Sequence, residues 1–218
     1  MRNTAPDFKI FELTRPLDIM NAPVPLAPKE PFKILCFGRL SKYKTPGIFY
    51  LIQNLDKFIN IIPNVEIYIL GGSGWRFFKI KMLAKKINKR IGRECIKMLG
   101  TIDNPHTYFQ EANLVLSAAT SAMEAAISKR PVIAMSWFYF GHVTPENLND
   151  AVKSFFAERL QENVHSFEES LIDDINTVYK NYGTEKFIAD LDTIFKQLKE
   201  DFSYDRTIKQ FNEILKVI

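Results

Sequence analysis

The stretch that decides the fold is Ala112–Met135, ANLVLSAATSAMEAAISKRPVIAM. An apolar run, Leu114-Val115-Leu116, ends in the small residues Ser117-Ala118-Ala119-Thr120-Ser121. Helix formers follow, Ala122-Met123-Glu124-Ala125-Ala126-Ile127, and then a second apolar run, Pro131-Val132-Ile133-Ala134-Met135. Short apolar runs without polar alternation read as strands covered on both faces, and the interval between these two suits a short helix. Strand, tight turn, helix, strand is the repeating unit of a parallel sheet. The small residues at the turn let a ligand approach the backbone where the helix begins. One carboxylate, Glu124, stands in the first turn or so of a helix otherwise made of small and apolar residues. That combination points to an α/β nucleotide-type site.

The same alternation extends outward from this stretch. Lys33-Ile34-Leu35-Cys36-Phe37-Gly38 reads as a buried strand ending in glycine. Thr45-Pro46 opens a helix, with Thr45 as N-cap and Pro46 in the first position. Ile48, Leu51, Ile52, Leu55, Phe58, Ile59 and Ile62 follow at the spacing of one buried face, until Pro63-Asn64 stops it. Val65–Leu70 is the next strand, and Gly71-Gly72-Ser73-Gly74 follows it. A basic helix then covers about Trp75 to Arg90, Cys95–Gly100 is a third strand, and Pro105–Ala112 is a short helix. The expected architecture is α/β: a single doubly wound, Rossmann-like parallel sheet with helices on both faces.

Three segments are distinguished. Residues 1–31 hold six prolines and read as a linker or strap. Residues 32–147 form the sheet domain. Residues 148–218 form a helical tail with three apolar faces: Leu171, Ile172, Ile175, Val178, Tyr179 and Tyr182; Phe187, Leu191, Ile194, Phe195 and Leu198; and Ile208, Phe211, Leu215 and Ile218. The tail is expected to pack on the sheet domain or on another chain.

Composition bounds the partners. Of 218 residues, 46% are hydrophobic and 25% charged, with a net charge of +4, an ordinary globular balance. The positive charge gathers at residues 79–93, KIKMLAKKINKRIGR. That run is either a solvated helix face or a peripheral contact with acidic lipid. Nucleic acid is not expected as a partner, because no module interleaves aromatic and basic residues. Cys36 and Cys95 sit in apolar contexts and read as buried, reduced thiols, and no Cys/His spacing suggests a metal. Met1–Asp7 is polar and no apolar run is long enough to span a bilayer. A cytoplasmic protein is expected, with the inner membrane face as its one candidate membrane contact.

In an open α/β sheet, ligands bind beyond the carboxyl ends of the strands. Four such ends carry suggestive residues. Gly38 leads into a loop holding Arg39 and Lys44, a guanidinium and an ammonium beside a helix start, which suits a diphosphate. Gly71, Gly72 and Gly74 form a glycine-rich turn able to admit a phosphate or a ring, although the order matches neither GxGxxG nor a P-loop. Thr101 and Ile102 offer backbone groups to a base, while Asp103 or Asn104 suits a helix cap. Thr120 and Ser121 place hydroxyls at a helix start, and Glu124 can accept two hydrogen bonds from a vicinal diol such as a ribose.

Taken together, four pieces resemble the carboxyl-terminal half of GT-B glycosyltransferases. They are GRL with Lys44 five residues after Arg39, the glycine turn after the second strand, Leu99-Gly100-Thr101-Ile102 after the third, and MEAAISKRPVIA over 123–134. The closest resemblance is to the large retaining family 4, with its GRLxxxKG and EAMAxGxPV patterns. It covers about Phe32 to Asn147, and Gly141–Asn147 is similar to a stretch after the last strand of some members. The resemblance implies one half of a GT-B fold that binds a nucleotide-diphosphate sugar, UDP- or GDP-linked, as donor. It implies transfer of a hexosyl group to an acceptor in polysaccharide or glycolipid synthesis, with no further cofactor. Arg39 and Lys44 match the catalytic arginine and lysine that neutralise the leaving diphosphate, and Glu124 matches the ribose-binding glutamate. Main chain near Gly71–Gly74 and Thr101–Ile102 would line the pocket.

This sequence departs from the family pattern at three places. Leu116 stands where the family has an earlier glutamate. Thr45 replaces the glycine after the lysine. The acceptor-binding amino-terminal domain of such enzymes has no counterpart in residues 1–31, so activity is expected to require a separate acceptor-domain protein or amino-terminal half. A non-catalytic nucleotide-binding subunit paired with such a chain is the alternative from another class, and a GT-B epimerase is a third reading.

Overall fold

The expected alternation is realised almost element for element. The computed structural model describes residues 16–17, 25–136, 138–157 and 167–216. From the amino end come β1 (Phe32–Phe37), α1 (Thr45–Gln53), α2 (Leu55–Ile61), β2 (Val65–Leu70), α3 (Gly74–Ile91), β3 (Ile96–Gly100) and α4 (His106–Glu111). They are followed by β4 (Leu114–Ser117), α5 (Ala119–Ile127), β5 (Val132–Met135), β6 (Tyr139–His142), α6 (Leu148–Lys153), α7 (Phe167–Asn181), α8 (Glu185–Asp201) and α9 (Tyr204–Leu215).

The sheet runs β3-β2-β1-β4-β5-β6. β1 to β5 are parallel, with Ile34 opposite Ile67 on one side and Leu114 on the other. Strand order reverses between β1 and β4, the arrangement of a doubly wound nucleotide-binding fold. β6 pairs antiparallel with β5 and corrects the expectation of a purely parallel sheet. Its four residues include Gly141, whose φ is +100°, so neither length nor alternation marks it as a strand.

Side-chain alternation sorts the core into two layers. Ile34, Cys36, Ile67, Ile69, Leu114, Leu116, Ile133 and Met135 face one side, under α1, α2, α3 and α7. Leu35, Val115, Val132 and Ala134 face the other, under α4, α5, α6 and α8. Leu171, Ile175 and Val178 of α7 are fully buried in the first layer, each stabilising the fold by about 1.5–3 kcal/mol. Ile194 and Leu198 of α8 do the same in the second. α9 buries none of its residues, so the third apolar face, Ile208, Phe211 and Leu215, is exposed rather than packed on the sheet. Ile218 lies outside the described residues. Both cysteines are free and buried, and burial pushes the Cys36 thiol up to about 12.

The long helix expected from Thr45 to Ile62 is two helices. Asn54 interrupts it, and its side-chain Nδ2 donates to the Tyr50 carbonyl at 3.0 Å, competing with the helix ladder. Thr45 is not the N-cap either. Its hydroxyl donates to the Ser41 carbonyl at 3.0 Å, while Ser41 Oγ accepts from the Lys44 amide at 3.3 Å.

Of the proline-rich segment, residues 1–15 and 18–24 lie outside the described residues. The part from Pro25 to Glu30 is a strap without ladder partners among the described residues, and side chains from the sheet domain and the helical tail satisfy its carbonyls. Arg130 donates to Pro25 at 2.6 Å, Tyr182 to Ala27 at 3.0 Å, and Asn113 Nδ2 to Pro28 at 2.8 Å. Asn113 is 0% exposed, and its Oδ1 also accepts from the Lys33 amide at 2.7 Å. It therefore joins the strap to β1 and to the start of β4. Asn113→Ala removes both bonds from a buried place and leaves their partners unsatisfied. It is expected to cost about 2–3 kcal/mol, roughly 5–10 °C in melting temperature. A loss well under 1 kcal/mol in thermal denaturation would show that this residue does not hold the strap.

Candidate functional site

The carboxyl ends of the first four strands lie side by side, and three of them end in glycine. Gly38 (φ +135°) follows β1, Gly71 (φ +108°) and Gly72 (φ +78°) follow β2, and Gly100 (φ +73°) ends β3. The backbones meet directly. The Gly38 amide donates to the Leu70 carbonyl at 3.1 Å and the Gly71 amide to the Gly100 carbonyl at 2.6 Å. A Cβ on Gly71 would stand 2.4 Å from the Gly38 carbonyl oxygen, and one on Gly72 would stand 2.7 Å from Leu40 Cγ. These glycines serve both a backbone conformation and a close approach.

A narrow crevice opens where strand order reverses. Its walls are Phe37, Gly38, Arg39, Leu40 and Lys44 from the β1 side and Leu116, Ser117 and Ala118 from the β4 side, with Ile48 and Met135 behind. Ser117 Oγ donates to the Phe37 carbonyl at 2.7 Å and ties the two strand ends together. Arg39 is exposed at the rim and Lys44 is half-buried. Among the described residues, the crevice lining thus holds two cations and no carboxylate.

On the β4 side the turn is tight. Ala118 is extended, Ala119 takes φ +55°, and no side chain caps α5. Left-handed backbone on a non-glycine residue costs about 1–2 kcal/mol. The strain is stored where the helix start faces the crevice. Thr120 and Ser121 occupy the first turn, half-buried, and Ser121 Oγ lies 4.0 Å from where a Cβ on Gly38 would be. Glu124 is the sixth residue of α5, half-buried, one turn deeper than expected.

The structure therefore brings Gly38, Arg39 and Lys44 into one crevice and sets Ser121 beside it. Gly71 and Gly72 lie against the Gly38–Leu40 segment, and Thr101 Oγ1 is 3.5 Å from the Gly72 carbonyl. Gly74, Ile102, Thr120 and Glu124 do not line the crevice. Gly74 has open space around it, and its φ of +78° alone calls for glycine. Asn104 Oδ1 accepts from the His106 amide at 3.2 Å, the helix-cap role. Sequence reasoning passed over Ser41 and Ser117, which shape the two walls. Ser117 was marked by its place as the one polar residue closing the β4 run. Among the described residues, no group of three His, Cys, Asp or Glu side chains is placed to hold a metal ion.

A doubly wound α/β domain with a cation-lined crevice at its switch point is the class that fold and site define, and it corresponds to one half of a GT-B enzyme. The family described as Glycosyl transferases group 1 matches residues 31–180, and the chain belongs to that family. Its fold is shared with HepE of Anabaena, solved with UDP, at 18% identity and a TM-score of 0.60 over 86% of this chain and 49% of HepE. A glycosyltransferase of Rickettsia africae gives 17% identity and 0.63 over 87% of this chain and 48% of that one. WaaG, a glycosyltransferase involved in lipopolysaccharide biosynthesis, gives 14% identity and 0.53 over 82% and 45%. The chain spans about half the length of these proteins. No curated protein matches it in sequence.

The glycine geometry separates two substitutions. Gly71→Ala meets backbone at 2.4 Å as well as left-handed strain and should cost more than about 2 kcal/mol. Gly74→Ala meets only the strain and should cost about 1 kcal/mol. Equal losses in denaturant titration would show that the β1 and β2 ends do not pack as described.

Proposed function

We propose that the crevice between β1 and β4 binds the diphosphate of a nucleotide sugar, UDP- or GDP-linked, for glycosyl transfer. Arg39 and Lys44 hold the two phosphates and stabilise the charge that develops on the leaving nucleotide. The start of α5, which no side chain caps, adds the amides of Thr120 and Ser121 to the same anion, while the Ala119 amide is held by the Phe156 carbonyl. Glu124 takes the ribose hydroxyls, and the backbone of Gly71–Gly74 and Thr101–Ile102 receives the base. The single observation that carries this reading is the meeting of Arg39 and Lys44 at the point where strand order reverses. The solved complex of HepE with UDP supports the choice of donor class. The involvement of WaaG in lipopolysaccharide biosynthesis supports a place in surface glycan or glycolipid synthesis. The acceptor side, in this reading, comes from an amino-terminal half or a separate chain, and the transferred group is a hexosyl unit.

A second reading, a nucleotide-binding subunit without transferase activity of its own, is favoured by one residue. Leu116 occupies the position of the family's earlier glutamate and is 2% exposed, packed in the apolar layer under α1. None of the described residues lining the crevice is a carboxylate. Sugar transfer by this chain once an acceptor domain is supplied would exclude that reading.

Thermal shift with UDP and GDP tests the donor site. A nucleotide at about 100 times its dissociation constant adds about 2.7 kcal/mol of stability. Arg39→Ala and Lys44→Ala should each weaken binding about tenfold or more, the value of a charge-assisted hydrogen bond, and Glu124→Gln about tenfold. Unchanged affinity in the Arg39→Ala, Lys44→Ala double variant would overturn the diphosphate assignment.

A further inference from the structure

α3 presents two unlike faces. Ile80, Ala84 and Ile87 are buried against the sheet. On the opposite face Trp75, Phe78 and Met82 are 67%, 52% and 53% exposed. At about 100° per residue these three lie within roughly 60° of arc, on the side turned away from the core. The Trp75 and Phe78 rings stack at 6.2 Å, and Lys79 Nζ sits 5.2 Å from the Trp75 ring centroid. Lys85, Lys86 and Lys89 continue the same outward arc and are exposed.

The helix has seven basic side chains and no acidic one. Among the described residues only Arg90 of these seven is ion-paired, with Asp56. An aromatic and thioether cluster lies at the centre of the basic surface, on a helix whose outward face is exposed among the described residues. An amphipathic helix with that distribution lies flat in the headgroup region of a membrane. Indole and phenyl rings settle at that depth, and lysines snorkel to the phosphates.

We infer that the outward face of α3 is a docking surface for an anionic lipid bilayer. Trp75, Phe78 and Met82 enter the boundary between headgroups and acyl chains, and Lys79, Lys86 and Lys89 sit at phosphate level. The contact is peripheral, since no helix among the described residues is long and apolar enough to cross a membrane. It does not depend on the donor assignment, because it uses none of the crevice residues.

The test uses the full chain and vesicles of phosphatidylcholine with and without phosphatidylglycerol. Sedimentation is expected with the anionic vesicles only, falling steeply with added salt. Tryptophan emission should shift to the blue on binding. Lys86→Glu with Lys89→Glu should lower the partition constant at least about tenfold. Phe78→Ser with Met82→Ser should lower it comparably while circular dichroism and the UDP thermal shift stay unchanged. Absence of sedimentation with anionic vesicles overturns the inference. So does sensitivity to the lysine changes alone, which would mean electrostatic adsorption without entry of Trp75, Phe78 and Met82 into the bilayer. Loss of binding through Ile208→Ser with Phe211→Ser on α9, with the α3 variants still bound, overturns it as well.

Discussion

The parallel pairing of β1 with β4 is the constraint on which the rest of the structure depends. Three residue pairs hold it, Ile34 with Leu114, Leu35 with Val115 and Cys36 with Leu116. From that pair the chain winds outward in two directions, through β2 and β3 on one side and β5 and β6 on the other. The connections therefore leave on opposite faces, and the loops after β1 and β4 part instead of covering each other. The crevice is what that parting leaves open. Its cations are carried by the β1 loop and its uncapped helix start by β4. Each wall is positioned by a strand buried on both faces, so its geometry is set by core packing.

Much of this was legible because parallel strands covered on both faces must be continuous apolar runs. Ile34 to Phe37, Ile67 to Leu70 and Leu114 to Leu116 could hardly be read otherwise. β6 was not legible, since Tyr139-Phe140-Gly141-His142 contains a glycine and is stabilised by its partners. The Tyr139 hydroxyl and the His142 amide both donate to Asp174 of α7, 32 or more residues further along the chain. The break at Asn54 depends on one side-chain-to-backbone hydrogen bond that no periodicity records. In the site, the Gly38–Lys44 loop could be found from its place after a strand. The contact of Gly71 with the Gly38 carbonyl could not, because it needs the register of β1 against β2. Glu124 falls in the second turn because α5 already begins at Ala119, two residues after β4 ends.

The tail illustrates what periodicity can and cannot say. All three apolar faces were visible as patterns, and each forms an amphipathic helix. Two are buried: α7 in the first layer, and α8 across both, with Phe187 and Leu191 in the first and Ile194 and Leu198 in the second, so the tail closes both sides of the domain it follows. The third, on α9, is exposed although its pattern is as regular as theirs. A pattern reports that a face needs burial; only the location of the helix decides what supplies it. Below α1 and α3 the same logic puts Leu116 in the core, where an ionised carboxylate would be strongly penalised.

The strap has a mechanical consequence. Asn113 grips it at Pro28 and at the same time accepts from Lys33 in β1, one residue before β4 begins. The strap is thus fastened to the amino ends of the two strands whose carboxyl ends frame the crevice. At the far end of the same ladder the Ser117 hydroxyl donates to the Phe37 carbonyl. Asn113 and Ser117 thus close the two ends of the short β1–β4 ladder, one against the strap and one against the crevice.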